Sequence, residues 1–347
     1  SVYGGGDMAA VDNGTSDATN LTITGNVVVT GNVFASGNGR TKTYTQHPEL
    51  VGFVKGNADL YITGTPTIYG DIYGGGAYGS NKGNTNVIAD GGYFYKNIYG
   101  GGQGDLDTDT RATIDGNASV TMSGAKAVLD DKQEKSSFIE GKHVVYGGGD
   151  LVATVTGTAA VNVTRSWDDL DNPDPEIQER WRNMWESAWN DNSKRNFWVF
   201  GGGYGENTVV GNTDVNINID IDKNNEIIGS VGGAYAGVVE HNTSTTIQGT
   251  PILRNVYGGG YGLFSSENVT AGIVKENSTV LIEGGEMHCN VYGGGKGIPQ
   301  IATDQNDTFK DVARVNGNTS VTVTGTAAIY GNVYGGGDIA NVGDGTA

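Results

Sequence analysis

Apolar residues recur at every second position in short runs of this chain, and the runs are of two kinds. Val321 and Val323 alternate with Ser320, Thr322 and Thr324, the period-2 signature of a strand with one buried face. Ile329, Gly331 and Val333 alternate with Tyr330, Asn332 and Tyr334, which predicts a second strand whose tyrosines point outward. Each run sits inside a repeated phrase. N-[VI]-Y-G-G-G stands at Asn97 to Gly102, Asn255 to Gly260, Asn290 to Gly295 and Asn332 to Gly337, with near copies at Asp71 to Gly76 and Val144 to Gly149. Further variants carry Phe34, Phe200 and Val231 at the aromatic position. G-N-[TA]-x-V-x-[VIM]-x-G falls between them, with its Asn at Asn57, Asn84, Asn117, Asn212, Asn242, Asn277 and Asn318.

Internal repetition of this length decides the architecture. The two shortest units match internally: Tyr73 to Asn84 and Val231 to Asn242 span 11 residues, and Asn84 to Tyr99 and Asn242 to Tyr257 span 15. The resulting unit of 11 + 15 = 26 residues holds two or three short strands parted by glycine turns. The expected fold is all-β: a single parallel β-solenoid (β-helix) of about nine coils over 1–347, with one short α-helical insertion at 165–197. At the usual strand spacing nine coils make a rod about 43 Å long, and the crossover preference of parallel strands makes it right-handed. The Gly triplets are expected at corners with positive φ where neighbouring coils also lie close. The aligned Asn residues predict a ladder running from coil to coil. The tyrosine column is read as an outward stacked ladder or, alternatively, as a sugar platform.

Departures from the 26-residue unit are insertions, and recognition is expected through two on adjacent coils: one around Lys126 to Lys142 in coil 4, and the largest around Arg165 to Lys194 in coil 5. The latter carries a helix start: Asp174 as N-cap, Pro175 in the first turn and Glu176 beside it. Ile177, Trp181, Met184, Trp185 and Ala188 follow at helical spacing, with Trp189 at the edge of the stripe. All 5 Trp residues of the chain lie between Trp167 and Trp198. Such a stripe either holds a helix to the body beneath or faces a partner, because Trp, Met and Arg dominate interface hot spots. In the partner reading Trp181, Met184, Trp185 and Trp189 supply the apolar anchor, and Asp168, Asp169, Arg182 and Glu186 a charged rim. Per-repeat insertions commonly mark the working face of a solenoid.

Composition narrows the chemistry. Gly is 59 of 347 residues and the hydrophobic fraction only 36%, so the core is lean and stability rests on backbone ladders. A net charge of −18 repels phosphate backbones and argues against nucleic-acid partners. One Cys excludes a disulfide scaffold, and no apolar run is long enough to insert into a membrane. Asp105, Asp107 and Asp109 alternate like the start of a Ca²⁺ loop, but Thr110 and Gly116 stand where that loop needs Gly and Glu. A solvated acidic turn is the other reading, and no cofactor is required. His47, His143, His241 and His288 share no position in the repeat, and no nucleophile-base pair is visible. The chain is therefore expected not to be an enzyme, although carboxylates meeting across coils leave a polysaccharide lyase or hydrolase as an alternative.

The G-N-V-Y-G-G-G phrase resembles the repeat of large Gly/Asn/Thr-rich surface proteins of gut-dwelling Gram-positive bacteria, and more loosely solenoid adhesins. The resemblance spans nearly the whole chain, since a triplet or its variant marks every coil. It implies an extracellular module on a bacterial cell surface that adheres to host glycans or proteins. The implied partner is a host extracellular protein, an immunoglobulin or a mucosal glycoprotein, and a passive stalk is the remaining alternative. The chain opens inside a repeat phrase at Val2 to Asp7, so a monomeric piece of a larger protein is expected. The helical insertion lies outside the repeat and inherits nothing from the resemblance.

Overall fold

The computed structural model describes residues 1–12, 14, 17–39, 51–107, 110–129, 143–169, 172–190, 197–220, 226–262, 271–298 and 312–343. The side chains of residues 184, 185, 187–190, 226 and 228 lie outside that description. The two phrases form two parallel sheets, as their alternation predicts. The G-N strands, from Thr19–Ile23 through Ala58–Ile62, Thr85–Ala89 and Ala118–Met122 to Thr319–Val323, stack into a long sheet. The strands before each Gly triplet, from Val2–Tyr3 through Ile72–Tyr73 and Ile98–Tyr99 to Val333–Tyr334, stack into a corner sheet. Register joins equivalent residues of successive coils, as in Ile98↔Ile72 and Tyr99↔Tyr73. A third, short sheet joins Val28–Val29, Thr67–Ile68, Tyr93–Phe94 and Lys126–Ala127 of the first four coils. The chain is thus a parallel β-solenoid, with one helix among the described residues, α1 (Pro175–Asn190).

Side-chain ladders run alongside the backbone ladders. The side-chain oxygen of Asn57 accepts the Asn84 N–H (2.9 Å), Asn84 accepts from Asn117 (2.9 Å), and Asn117 accepts from Thr158 (2.8 Å). The ladder resumes from Asn212 through Asn242 and Asn277 to Asn318. A second ladder, at the entry to the corner strands, runs Asn32, Asp71, Asn97, Val144. A buried hydroxyl also braces several corners: Thr19, Thr85, Thr243 and Ser278 donate to the carbonyls of Ala35, Gly100, Gly258 and Gly293, each at 2.7 Å. These bonds satisfy polar groups that a thin core otherwise strands.

Two expectations about the corners need correction. The Gly triplets do not take positive φ; the positive-φ glycines are others, such as Gly64 and Gly92. Close approach alone demands glycine, because a Cβ on Gly74 would overlap the Gly100 carbonyl oxygen, and one on Gly100 that of Gly147. The aromatic column also points inward. Tyr3, Phe34, Tyr73, Tyr99, Tyr146 and Phe200 stack with centroids 4.8–5.2 Å apart, and the rings from Phe34 onward are buried. Corner strands of two residues flanked by bends do not carry the alternation far enough to decide a face. A buried column offers no sugar platform. Where Val231 interrupts it, Trp198 lies over Gly229 and bridges the gap, its ring 6.0 Å from Phe200 and 6.2 Å from Tyr257.

Candidate functional site

The coil 5 insertion crosses the end of the short sheet and makes a cleft there. Asp174 caps α1, its carboxylate accepting the Glu176 N–H at 2.9 Å. Two turns in, Trp181 is 1% exposed and packs on Phe197 (centroids 5.3 Å), and Phe197 stacks on His143 at 5.5 Å. Trp167 donates its indole N–H to the His143 carbonyl at 3.1 Å. His143 and Phe197, where two insertions rejoin the solenoid, both take left-handed backbone at φ 59°, a conformation that needs packing to hold it. Arg180 donates to the Leu129 carbonyl at 2.8 Å, and Lys126 to the Asp168 carbonyl at 2.7 Å. The helix is therefore anchored to the solenoid by an aromatic plug and two cationic struts.

Between this helix and the short sheet lies a cleft of about 290 Å³. Tyr93, Tyr95 and Thr67 come from the sheet, Val128 and Leu129 from the residues after its last strand, Ile177, Arg180 and Trp181 from α1, and Asp169 and Asn172 from the segment leading into it. The sheet supplies its outward side chains: Phe94 is buried while Tyr93 and Tyr95 are half-buried. Tyr69, one coil earlier, is 43% exposed and stacks on Tyr95 at 4.4 Å. Val28, in register with Thr67, is 61% exposed. The first four coils thus present an aromatic and apolar outer strip that ends in the cleft.

The residues expected to form a partner surface are divided by this geometry. Trp181 is an inward anchor. Asp168 and Asp169, expected on a charged rim, are 1% and 9% exposed: Asp168 accepts from Ser166 Oγ at 2.9 Å and Asp169 from Asn172 Nδ2 at 2.5 Å. They are buried because the lead-in must be tied down before α1 starts. Arg182 and Glu186 are exposed on the helix, with Arg182 bonded to Gln178 at 3.1 Å. The side chains of Met184, Trp185 and Trp189 lie outside the described residues, as do residues 130–142 of the coil 4 insertion. Sequence reasoning missed Tyr69, Tyr93, Tyr95 and Arg180. The repeated aromatic at the end of the third strand (Tyr69, Tyr95) was the available signal.

Other chemistry lies elsewhere. Asp150 is buried within the solenoid and accepts the Tyr73 hydroxyl at 2.9 Å. Burial pushes its carboxyl up to about 7, and burial likewise raises the Tyr73 phenol. The pair closes a core polar group and does not line the cleft. Asp105 accepts the Asp107 N–H at 3.0 Å, and Asp109 lies outside the described residues. Among the described residues no group of three His, Cys, Asp or Glu side chains is placed to hold a metal ion, and no helix is long and apolar enough to cross a membrane. No protein-family model, curated protein or solved structure matches the chain.

Proposed function

We propose that this chain is a non-enzymatic recognition module of a bacterial cell surface, adhesin-like, which binds an extracellular host glycoprotein at the coil 5 insertion. The solenoid is the scaffold, and the recognition surface is the exposed side of α1 together with the cleft beneath it. The observation that carries this reading is local. The insertion with its own helix is pinned by a buried tryptophan beside the half-buried tyrosines of the short sheet. A rigid, largely pre-formed concavity of apolar walls with a few converging polar groups is the usual form of a binding site. The acidic chain favours partners with basic patches, and Arg182 and Glu186 are exposed on α1. Immunoglobulin belongs among the candidate partners through the resemblance of the repeat.

The test is affinity capture from mucosal secretions, with the intact chain and an Arg182→Glu, Glu186→Lys variant as baits and mass spectrometry as the readout. Both positions are exposed, so the fold tolerates the exchange. A protein retained by the intact chain and lost by the variant supports the assignment. Equal retention by both baits places recognition elsewhere on the solenoid, and retention of nothing by either refutes the reading.

A further inference from the structure

We propose that the cleft between α1 and the short sheet is a subsite for an uncharged saccharide, a terminal sugar of the glycoprotein partner. This rests on the recognition reading above and names the chemistry of its contact. The ring faces come first. Tyr69 and Tyr95 stack in a row, and the next residue in that outward column is Val128, whose N–H bonds to the Phe94 carbonyl. A small residue follows a large ring there, which leaves space over the Tyr95 edge of the row. Sugar rings present a face of C–H groups that packs on aromatic rings, while their hydroxyls need donors and acceptors around the perimeter. Tyrosine supplies both kinds of contact, and Asp169, Asn172 and Arg180 converge from the opposite wall.

Charge and backbone geometry exclude the main competitors. The cleft brings together one guanidinium and one carboxylate on a chain of net charge −18, so a sulfated or sialylated polyanion meets an unfavourable field. An extended peptide would bind by adding a strand to an open sheet edge. That route is closed, because the N–H of Ala127, on the outermost strand of the short sheet, already bonds to the Trp167 carbonyl at 2.7 Å. The platform is also held in place before any ligand arrives. Tyr93 and Tyr95 N–H groups bond to the Pro66 and Ile68 carbonyls at 2.7 and 3.0 Å, so little ordering opposes binding. A volume of about 290 Å³ lies at the low end for small-molecule sites, which suits a terminal sugar and not a long chain.

The experiment is an array of immobilised mucin-type O-glycans, complex N-glycans and milk oligosaccharides, probed with the intact chain and with Tyr93→Ala and Tyr95→Ala variants. Calorimetric titration of the best free oligosaccharide follows, and melting temperature checks each variant's fold. Binding of a neutral glycan that weakens at least tenfold in both variants, with melting unchanged, is expected. A folded intact chain that binds no glycan, prefers sulfated or sialylated glycans, or binds equally well without the tyrosines overturns the proposal. A host protein still captured after enzymatic deglycosylation would sink the saccharide subsite while leaving the recognition reading standing. Loss of capture from secretions altogether would remove both.

Discussion

Asn81 is the residue whose replacement should make this protein more stable. It sits in a column of parallel bridges between Val54 and Ile114, where equivalent positions further along are Val239, Val274 and Val315. Its backbone is paired normally, its N–H to Thr113 and its carbonyl from Asp115, both at 2.8–2.9 Å. The side chain is 1% exposed, and neither Oδ1 nor Nδ2 has a protein hydrogen-bond partner. An unsatisfied buried amide costs about 1–3 kcal/mol, and valine fits the apolar surroundings. Asn81→Val should therefore stabilise coils 2 to 4 by about 2 kcal/mol, close to a thirtyfold drop in local opening. Opening in a stacked array is local, so the assay is amide exchange at residues 81, 82 and 115, alongside urea melting. The reciprocal change, Val54→Asn, should accelerate exchange in the same region. Unchanged or faster exchange in Asn81→Val would refute the reasoning, since the amide would then have a partner that valine removes.

Three further outcomes follow from the same geometry. Gly100→Ala should cost more than about 3 kcal/mol or prevent folding, because the new Cβ overlaps the Gly147 carbonyl and the backbone must move; expression and circular dichroism check it. Thr85→Val, which deletes the buried bond to Gly100, should cost about 1 kcal/mol by urea denaturation. Asp150 has a pH signature. Its carboxyl is raised from 3.8 to about 7 by burial, so the folded chain holds a proton that the unfolded chain releases. Stability should fall as pH rises from about 4 to about 7 and level off above that. Asp150→Asn should flatten most of that slope and melt higher than the parent at pH 8, with Asp71, shifted in the same direction by burial, leaving a remainder. An unchanged slope would show that Asp150 ionises freely in the folded chain.

The repeat made the solenoid legible because one coil's pattern is copied into the next, and parallel register then follows from stacking equals on equals. The Asn ladders and the stacked aromatics were readable for that reason, and the helix start at Asp174 from its own Asp-Pro-Glu cap. What alternation could not show was direction at the corners. Val333 and Tyr334 look like opposite faces of a strand, yet the equivalent Ile72 and Tyr73 are both buried, because these two strands are two residues long between bends. Nor could spacing reveal that Trp198 substitutes for the ring missing at Val231, since the exchange is made across coils through Gly229. The cleft was half legible. The insertion was found, but its acidic lead-in was read as rim where burial and hydrogen bonds make it foundation. The tyrosine row lies on a third strand that the two phrases do not contain.

The central claim is that recognition happens where α1 crosses the short sheet. The most direct measurement is amide hydrogen exchange of the intact chain, alone and saturated with the mucosal glycoprotein it retains. Protection confined to Thr67–Tyr69, Tyr93–Tyr95 and the exposed turns of α1 is the predicted footprint. Protection instead along the outward Ser, Thr and Asn residues of the long sheet, with those segments unchanged, would contradict it.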